Sequence, residues 1–378
     1  MDVALVYSPA LNAYDLGPAH PLRPERVSLS VGLMSALGLV RAGALVPVDP
    51  RAATREELER VHDPLYIDEV MKAGADPDGW LGSFGIGAGD TPAFPDMHEA
   101  ASLVAGATVV AIEEVLSGRF RRALSPAGGL HHAHRDSAAG FCVYNDAAVG
   151  IASAIAAHPA LRVCYIDIDA HHGDGVQEAF YAEPRVLTIS VHESGRYLFP
   201  GTGGTDERGE GPGLGSAINV PLPPNANDEC YALVFDEVVE PAVRRFCPDL
   251  IVTQNGADAH WTDPLTSLGM TLHGYRSLVH KSMQLAEEST GGRLVACGGG
   301  GYAWATVVPR AWTMLAAELA ETQVAEEIPG SWRERVRDLG ADPPATLSAD
   351  PGPSLDPIMR AAVRGETQRV IERLGMGG

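Results

Sequence analysis

Short apolar runs alternate along the chain with longer segments in which apolar residues recur every three to four positions. The apolar runs have the length of buried strands and cover residues 3–7, 163–169, 185–191, 249–256 and 293–299. The longer segments have a helical period and cover residues 97–118, 231–246 and 274–289. Because strands that alternate with helices form mainly parallel sheets covered on both faces, the pattern predicts an α/β fold. In such folds the functional site lies beyond the carboxyl ends of the strands.

The last part of the chain has a different character. Residues 340–357 are rich in Pro and Ala and predict irregular structure, and residues 358–374 show a short helical pattern. No internal repeat or linker divides the residues before them. We therefore expect one functional domain over residues 1–320 and a C-terminal extension over 321–378 that packs on this domain or trails from it.

Composition and charge narrow the class of protein. The chain has 378 residues, of which 45% are hydrophobic and 20% charged, as in globular proteins with a substantial core. Its 28 Lys and Arg against 49 Asp and Glu give a net charge of -21. This balance argues against nucleic acid as a partner, because binding a phosphate backbone needs a cationic surface. It weakly favours cationic substrates.

Cysteine usage and the N-terminal segment indicate a cellular compartment. The five cysteines are scattered and odd in number, which argues against a disulfide framework and for a reducing environment. The first residues, "MDVALVYSPALNAYDLG", lack the basic region of a signal peptide. No stretch reaches the apolar length of a transmembrane helix. We expect a cytoplasmic enzyme that has no membrane partner.

A cluster of charges stands at the end of the apolar run in "RVCYIDIDAHHGDG", residues 162–175. Asp167, Asp169 and His171 alternate with other residues, so in an extended segment they face the same way. Charges in such a place are costly to desolvate unless something pairs with them. A lone Asp after a strand is usually a helix cap, but capping needs only one carboxylate.

A second strand, in "LIVTQNGADAH", supplies Asp258 just past its own carboxyl end. Asp169 and His171, together with Asp258, would give a divalent metal two carboxylates and one imidazole. Such a set leaves coordination positions open for water and substrate, as catalytic metal sites do.

The segment "GGLHHAHRDSAAGFCVYND", residues 128–146, contains adjacent histidines at 131 and 132. His131 and His132 are candidates for acid–base groups, because the pKa of histidine lies near neutrality. Each needs a carboxylate to fix its tautomer, and Asp167 and Asp174 are available. The alternative, a solvated or opportunistic metal-binding tract, is disfavoured by the surrounding glycines, which permit close backbone approach.

Four glycines precede Tyr302 in "CGGGGYAW", residues 297–304. They indicate unusual backbone angles or a close approach to another group. The GK[ST] of a phosphate-binding P-loop is absent. A Tyr302 hydroxyl at the edge of the site could donate a hydrogen bond to a developing oxyanion, although a single Tyr beside glycines more often serves packing.

Taken in order, these segments resemble the histone deacetylase superfamily. The motifs that carry the resemblance are "HPLRPERV" (20–27), "GDTPAF" (89–94), "GGLHHAHRDSAAGFC" (128–142), "YIDIDAHHGDGVQEAFY" (165–181), "FPGTG" (199–203), "GADAHWTDPLTSL" (256–268) and "GGGGYAWATVVPRAWT" (298–313). The resemblance implies an arginase/deacetylase fold, a doubly wound sheet of about eight mainly parallel strands with helices on both faces. His134 replaces a Lys that many relatives carry, at a position outside the reacting set.

The resemblance also implies roles for the candidate residues. Asp169, His171 and Asp258 would bind one divalent metal, most often Zn²⁺, with Fe²⁺ left open by the carboxylate-rich ligand set. A monovalent cation, K⁺ or Na⁺, would lie near Asp167 and Ser190.

The same resemblance assigns the acid–base and oxyanion groups. His132, paired with Asp174, would be the general base, and His131, paired with Asp167, the electrostatic partner or proton donor. Tyr302 would polarise the amide carbonyl and hold the tetrahedral oxyanion.

A substrate channel is implied as well. Phe141 and Phe199 would form the walls around an acyl-lysine stem, and Gly140 would leave space beside Phe141. Asp90 would bind the substrate backbone at the rim, and Arg26 would lie near an inner channel through which acetate leaves.

The implied activity is hydrolysis of the ε-acetyl-lysine amide of proteins, with acetyl-CoA synthetase as one suggested substrate. An acetylpolyamine amidohydrolase would use the same chemistry on a small acetylated amine. A binuclear manganese ureohydrolase of the arginase type would need further carboxylate ligands. A non-catalytic acetyl-lysine reader would require a broken site, and no expected residue is missing. The sequence gives no indication of oligomeric state or acyl-chain range.

Overall fold

The protein is described from a computed structural model that covers residues 2–87 and 89–375. Eight strands form a single sheet in the order β2-β1-β3-β8-β7-β4-β5-β6, and every neighbouring pair is parallel. The strands are β1 Val3–Val6, β2 Leu45–Val48, β3 Arg122–Ser125, β4 Val163–Asp167, β5 Val186–Glu193, β6 Ala217–Leu222, β7 Leu250–Gln254 and β8 Leu294–Cys297. The predicted α/β fold with a doubly wound parallel sheet is confirmed.

Twelve α-helices in the described residues surround the sheet. They are α1 Glu25–Ala36, α2 Arg55–Glu59, α3 Pro64–Ala75, α4 Met97–Leu116, α5 Asp146–Ala157, α6 Asp174–Phe180, α7 Asp228–Val234, α8 Glu240–Phe246, α9 Leu272–Thr290, α10 Val308–Leu319, α11 Gly330–Asp338 and α12 Pro357–Leu374. The helix predicted over 231–246 is divided by a π-helical turn, Phe235–Val239. None of these helices combines the length and apolarity that crossing a membrane requires.

Three strands, β2, β3 and β6, were missed by the apolar pattern, and for two of them the reason is visible in the sequence. The edge strand β2, "LVPV", contains a proline and is only partly buried, as edge strands tolerate. Strand β3, "RALS", begins with Arg122, whose buried guanidinium donates to Glu287 at 2.6 Å and to Glu321 at 2.9 Å. A charged residue in a buried strand breaks the apolar run on which the prediction depended.

The order of the strands brings the candidate residues together. Strands β4, β7 and β8 are neighbours, with Asp167 beside Gln254 and Gln254 beside Cys297 in the register. Since all three are parallel, the segments that follow them leave at the same edge of the sheet. Those segments carry the charged cluster after β4, Asp258 after β7 and the glycines before Tyr302 after β8.

The C-terminal extension packs on the sheet-bearing part of the chain. The indole Nε1 of Trp332 in α11 donates to the carbonyl of Leu29 in α1 at 2.9 Å. Helix α12 packs against β6 and α7 and buries Val370 and Ile371. Residues 340–356, which join these helices, form only an isolated bridge at Thr346, in agreement with the predicted irregular structure. The division between a domain over 1–320 and an extension over 321–378 stays a prediction.

Candidate active site

Asp169, His171 and Asp258 converge at the carboxyl edge of β4 and β7. One ligand atom from each lies within 4.8 Å of the others, and all three residues are buried. His171 Nδ1 is 3.0 Å from Asp169 Oδ1 and 3.0 Å from Asp258 Oδ2. The structure therefore brings together the three residues that the sequence selected as metal ligands.

The remaining carboxylate oxygens of this triad are held by fixed donors. Asp169 Oδ2 accepts hydrogen bonds from Gln254 Nε2 and from the Gly300 amide, both at 2.7 Å. Asp258 Oδ1 accepts from the Ala170 amide at 2.8 Å. These contacts leave Asp169 Oδ1 and Asp258 Oδ2 directed at the same point as His171 Nδ1, in the way that outer partners orient metal ligands.

The donor set fits a divalent cation. Two buried carboxylates repel each other, and burial together with the charge of Asp169 raises the pKa of Asp258 to about 7. A positive ion between them would remove this penalty. The backbone also approaches closely: a Cβ at Gly300 would lie 2.0 Å from Asp258 Oδ2, and one at Gly256 2.2 Å from Asp169 Oδ2. The close approach at Gly300 explains part of the "GGGG" motif.

His131 and His132 form two histidine–carboxylate pairs beside the triad. His131 Nδ1 is 2.7 Å from Asp167 Oδ2, and His132 Nδ1 is 2.7 Å from Asp174 Oδ1. The Nε2 atoms of the two rings face each other at 3.0 Å. The pairing predicted from the sequence is therefore present in the structure, and each imidazole presents its Nε2 to the site.

The surroundings of the two histidines shift their pKa values in opposite directions. Burial lowers the pKa of His131, but the charges of Asp167 and Asp169 outweigh burial and raise it to about 9. Burial and the neighbouring charge of His131 lower the pKa of His132 to about 3. The arrangement favours a cationic His131 that donates to a neutral His132. A pair of groups with separated pKa values is typical of acid–base sites.

Tyr302 lies beside the triad and lines the same small cavity as the histidine pair. Its ring stands edge-on to His171, with centroids 6.4 Å apart. Its amide donates to Asp263 Oδ2 at 2.8 Å, which fixes the backbone after the glycines. Burial and the nearby carboxylates Asp258 and Asp169 raise the pKa of the phenol well above its usual value. The hydroxyl therefore stays protonated and able to donate.

The exposed side of the site is bordered by Phe141, Phe199, His20 and Asp90, which we call the mouth. The Phe199 ring packs edge-on against His132 at 5.0 Å, and the Phe141 ring packs against Tyr302 at 5.7 Å. The side chain of Phe199 is 43% exposed, and Asp90 is exposed.

The backbone beside the mouth requires a glycine at position 140. Gly140 has φ +50°, and a Cβ there would lie 2.4 Å from the His132 ring and 2.9 Å from the Phe199 ring. Only glycine allows the chain to pass between them.

His20, which the sequence analysis did not select, packs edge-on against Phe141 at 4.4 Å and donates from Nε2 to the Asp90 carbonyl at 3.1 Å.

Arg26 lies on the interior side of the site. Its guanidinium is buried and donates to the Gly299 carbonyl at 2.6 Å. It also packs over the Trp312 ring at 5.2 Å. Arg26 lines a small cavity together with Tyr302 and His131.

Ser190 lies on β5 beside Asp167 of β4 in the sheet register. Its hydroxyl contacts His192 Nδ1 at 2.8 Å and accepts from the Gly173 amide at 3.4 Å. Asp167 also accepts from the Tyr165 hydroxyl at 2.8 Å. The two residues named for a monovalent cation are thus adjacent.

Two supporting residues escaped the sequence analysis because their contacts are non-local, and a third was placed too far from the site. Gln254 reads as the last residue of a strand, and Asp263 as a turn residue, yet both bind groups of the site. His134 Nε2 lies 3.4 Å from Asp174 Oδ2, so it shares the carboxylate of His132. His134 does not touch the metal triad, but it is closer to the reacting set than the sequence suggested.

Comparisons with known proteins agree with this geometry. The family model of the histone deacetylase domain matches residues 20–319. The acetoin utilization protein AcuC of Bacillus subtilis (strain 168) is 44% identical over 333 residues, which are 88% of this chain and 85% of that protein. AcuC of Staphylococcus aureus (strain Mu50) is 36% identical over 357 residues, covering 89% of this chain and 90% of the relative.

A solved structure is similar over nearly the whole chain. It is the crystal structure of an HDAC homolog complexed with SAHA, with 33% identity and a TM-score of 0.86, covering 99% of this chain and 100% of the other. The predicted arginase/deacetylase fold, the predicted family and the prediction of a deacetylase are confirmed. Relatives in this family typically bind a catalytic divalent metal, and the buried Asp–His–Asp triad is present. The chain belongs to the histone deacetylase family.

Proposed function

We propose that the chain is a metal-dependent protein lysine deacetylase that hydrolyses the amide of ε-acetyl-lysine. The observation that carries the proposal is the convergence of three groups on one point. The Asp–His–Asp triad, the two histidine–carboxylate pairs and the Tyr302 phenol surround the same small space. An amide carbonyl placed there would meet a cation, a base and a hydrogen-bond donor together.

Asp169, His171 and Asp258 would hold the metal, with Zn²⁺ as our assignment and Fe²⁺ as the alternative that the same ligands accept. When bound, a divalent metal supplies Lewis acidity, which makes water a better nucleophile and polarises the carbonyl. The protein's part is to hold Asp169 Oδ1, Asp258 Oδ2 and the imidazole nitrogen in place, through donors such as Gln254 and the Gly300 amide.

His132 would take the proton of the attacking water at Nε2, once the water replaces the contact of this nitrogen with His131 Nε2. It is suited to this role because it is neutral and because Asp174 accepts its Nδ1–H at 2.7 Å. His131, which the carboxylates keep cationic, would stabilise the developing negative charge and deliver a proton to the leaving amine. Removing either carboxylate partner would free the ring to rotate and to change tautomer.

Tyr302 would donate a hydrogen bond to the carbonyl oxygen as it becomes an oxyanion. Its raised pKa keeps the proton on the phenol. The bond of its amide to Asp263 places the ring before substrate arrives, so little reorganisation is needed at the transition state.

The mouth would select the substrate. Phe141 and Phe199 would enclose the aliphatic stem of lysine, Gly140 would leave room for it, and Asp90 would bind the backbone amides of a peptide. After hydrolysis, Arg26 would attract acetate into the interior cavity that it lines. A K⁺ or Na⁺ ion near Asp167 and Ser190 would counter the charge behind His131.

A second candidate activity, hydrolysis of acetylated polyamines, is favoured by the net charge of -21. It would use the same site residues on a small cationic amine. Acetyl-CoA synthetase remains a predicted protein substrate, and a cytoplasmic location remains an expectation.

The test compares an acetyl-lysine peptide with N-acetylputrescine, using the purified protein before chelation, after chelation, and after Zn²⁺ or Fe²⁺ is added back. Peptide turnover that chelation abolishes and a metal restores is the expected result. Preference for acetylputrescine would transfer the function to the second candidate without changing the site. If the metal-loaded protein hydrolyses neither compound, the proposed function is wrong, and binding of the acetyl-lysine peptide without turnover would identify a reader.

A further inference from the structure

The loop that carries Asp258 has a partner in the C-terminal extension, outside the residues matched by the family model. Asp350 lies in the irregular segment between α11 and α12, and its side chain is 4% exposed. Its Oδ2 accepts from His260 Nε2 and from the Leu272 amide, both at 2.8 Å, and its Oδ1 accepts from Trp261 Nε1 at 2.7 Å. One buried carboxylate thus binds three donors from the segment that follows Asp258.

These contacts are close to the reacting groups along the chain. His260 and Trp261 lie between Asp258, which belongs to the metal triad, and Asp263, which binds the Tyr302 amide. The Asp263 amide donates to the His260 carbonyl at 2.8 Å. A shift of His260 would therefore move both carboxylates.

The neighbour of Asp350 contacts the other loop of the site. The Ala349 carbonyl accepts from Arg310 Nη1 at 2.9 Å, and Arg310 Nε donates to the Thr306 carbonyl at 2.6 Å. Thr306 belongs to the turn that follows Tyr302. Residues 349 and 350 therefore join the loop of Asp258 to the loop of Tyr302.

The electrostatics are consistent with an ionised Asp350. Burial raises the pKa of its carboxyl, but the hydrogen bonds from His260, Leu272 and Trp261 outweigh burial and hold the pKa below its ordinary value. Hydrogen bonds to a charged acceptor are stronger than neutral ones. Without the carboxylate, the donors of His260, Trp261 and Leu272 would lose their acceptor.

We propose that Asp350 is a positioning residue of the active site, which holds the Asp258 loop in its metal-binding geometry through hydrogen bonds to His260 and Trp261. The C-terminal extension would then contribute a residue that maintains the geometry of the site. This inference rests on the proposed function, because that function assigns Asp258 to the metal.

The test compares Asp350→Ala with Asp356→Ala in the full chain. Asp356 lies in the same extension, where its Oδ1 caps α12 by accepting from the Ile358 and Met359 amides at 2.9 Å. We expect Asp350→Ala to weaken Zn²⁺ binding, measured by chelator competition, about 10- to 100-fold, as loss of outer partners of metal ligands does. We expect kcat to fall while KM changes less than about twofold, and Asp356→Ala to leave all three quantities near wild type.

Hydrogen exchange of the metal-free protein supplies a readout that needs neither metal nor turnover. Asp350→Ala should accelerate amide exchange in residues 259–272, and Asp356→Ala only near the start of α12. If the wild type binds Zn²⁺ but hydrolyses no acetylated amine, the proposed function fails, while exchange and Zn²⁺ affinity still decide the role of Asp350. Wild-type exchange and affinity in Asp350→Ala, or equal losses in both variants, would overturn the proposal.

If Asp350→Ala does not fold, Asp350→Asn serves in its place, since it keeps the volume and one acceptor. It should lose Zn²⁺ affinity in the same direction but less. Combining Asp350→Asn with His260→Ala should give less than the sum of the two single effects, because both changes act on the hydrogen bond between these side chains: Asn weakens it and Ala removes it. Additive effects would contradict direct positioning through His260.

Discussion

The floor of the site, where the metal triad and the histidine pair lie, is buried and hydrogen-bonded on every side, whereas the mouth is exposed and held by few polar contacts. Asp169 accepts hydrogen bonds from fixed donors at both oxygens, and Asp258 accepts one from the Ala170 amide. At the mouth, Phe199 is 43% exposed and Asp90 is exposed. The floor is thus built for preorganised chemistry, and the mouth for contact with a variable partner.

The comparison also explains what substitutions should do in each region. A change at the floor removes an interaction made in the transition state or with the metal, and should lower kcat. A change at the mouth removes contacts that ground state and transition state share, and should raise KM. The variants that follow test whether changes at the floor lower kcat and changes at the mouth raise KM.

The largest effect is expected at the metal triad. Asp258→Ala should abolish bound metal and reduce deacetylation to background, because two protein ligands hold a catalytic metal far more weakly than three. Metal content by elemental analysis and peptide turnover check this. Asp249→Asn is the control, since Asp249 adjoins the amino end of the same strand, where it accepts from the Arg162 amide at 2.9 Å. Unchanged metal content in Asp258→Ala would remove it from the ligand set.

The next effect is expected at the oxyanion donor. Tyr302→Phe should fold, keep its metal and lose about 10²- to 10³-fold in kcat, since only the hydrogen bond to the oxyanion is removed. Tyr231→Phe is a matched control, because the Tyr231 hydroxyl is buried and without a hydrogen-bond partner among the described residues. Steady-state kinetics of both variants decide the matter, and a Tyr302→Phe enzyme of wild-type kcat would refute the assignment.

The sequence predicted the residues of the floor far better than the residues that hold them in place. Asp167, Asp169 and His171 are grouped in one strand end, so their alternation alone indicates a shared site. The prediction of Asp258 required only the rule that the carboxyl ends of parallel strands lie at the same edge of a sheet. Gln254 and Asp350 carry no such signal, because their contacts join residues 85 and 90 positions apart in the chain. The residues of the mouth came from family resemblance, since neither periodicity nor charge distinguishes them.

A smaller effect on kcat is expected at Gly140, which lies next to both His132 of the floor and Phe199 of the mouth. Gly140→Ala would place a Cβ 2.4 Å from the His132 ring on a backbone with φ +50°. Displacing a general base by a fraction of an ångström should lower kcat about 10- to 100-fold.

Gly211→Ala separates this steric effect from backbone strain. Gly211 has nearly the same φ, +49°, but nothing within 4 Å of its added Cβ. It should cost about 1 kcal/mol of stability and leave kcat unchanged. If both variants lose stability equally and neither loses turnover, Gly140 serves only the backbone.

The smallest effect is expected at the exposed wall of the mouth. Phe199→Ala should raise KM for an acetyl-lysine peptide several-fold and change kcat less than about threefold, because the ring would contact the lysine stem and not the reacting atoms. N-acetylputrescine, which has a similar aliphatic stem, should show the same rise, whereas Asp90→Ala should affect the peptide alone. The control is Leu214→Ala, a residue 72% exposed in the loop after Phe199. A fall in kcat as large as that of Gly140→Ala would show that the Phe199 ring, which packs against His132 at 5.0 Å, belongs to the floor.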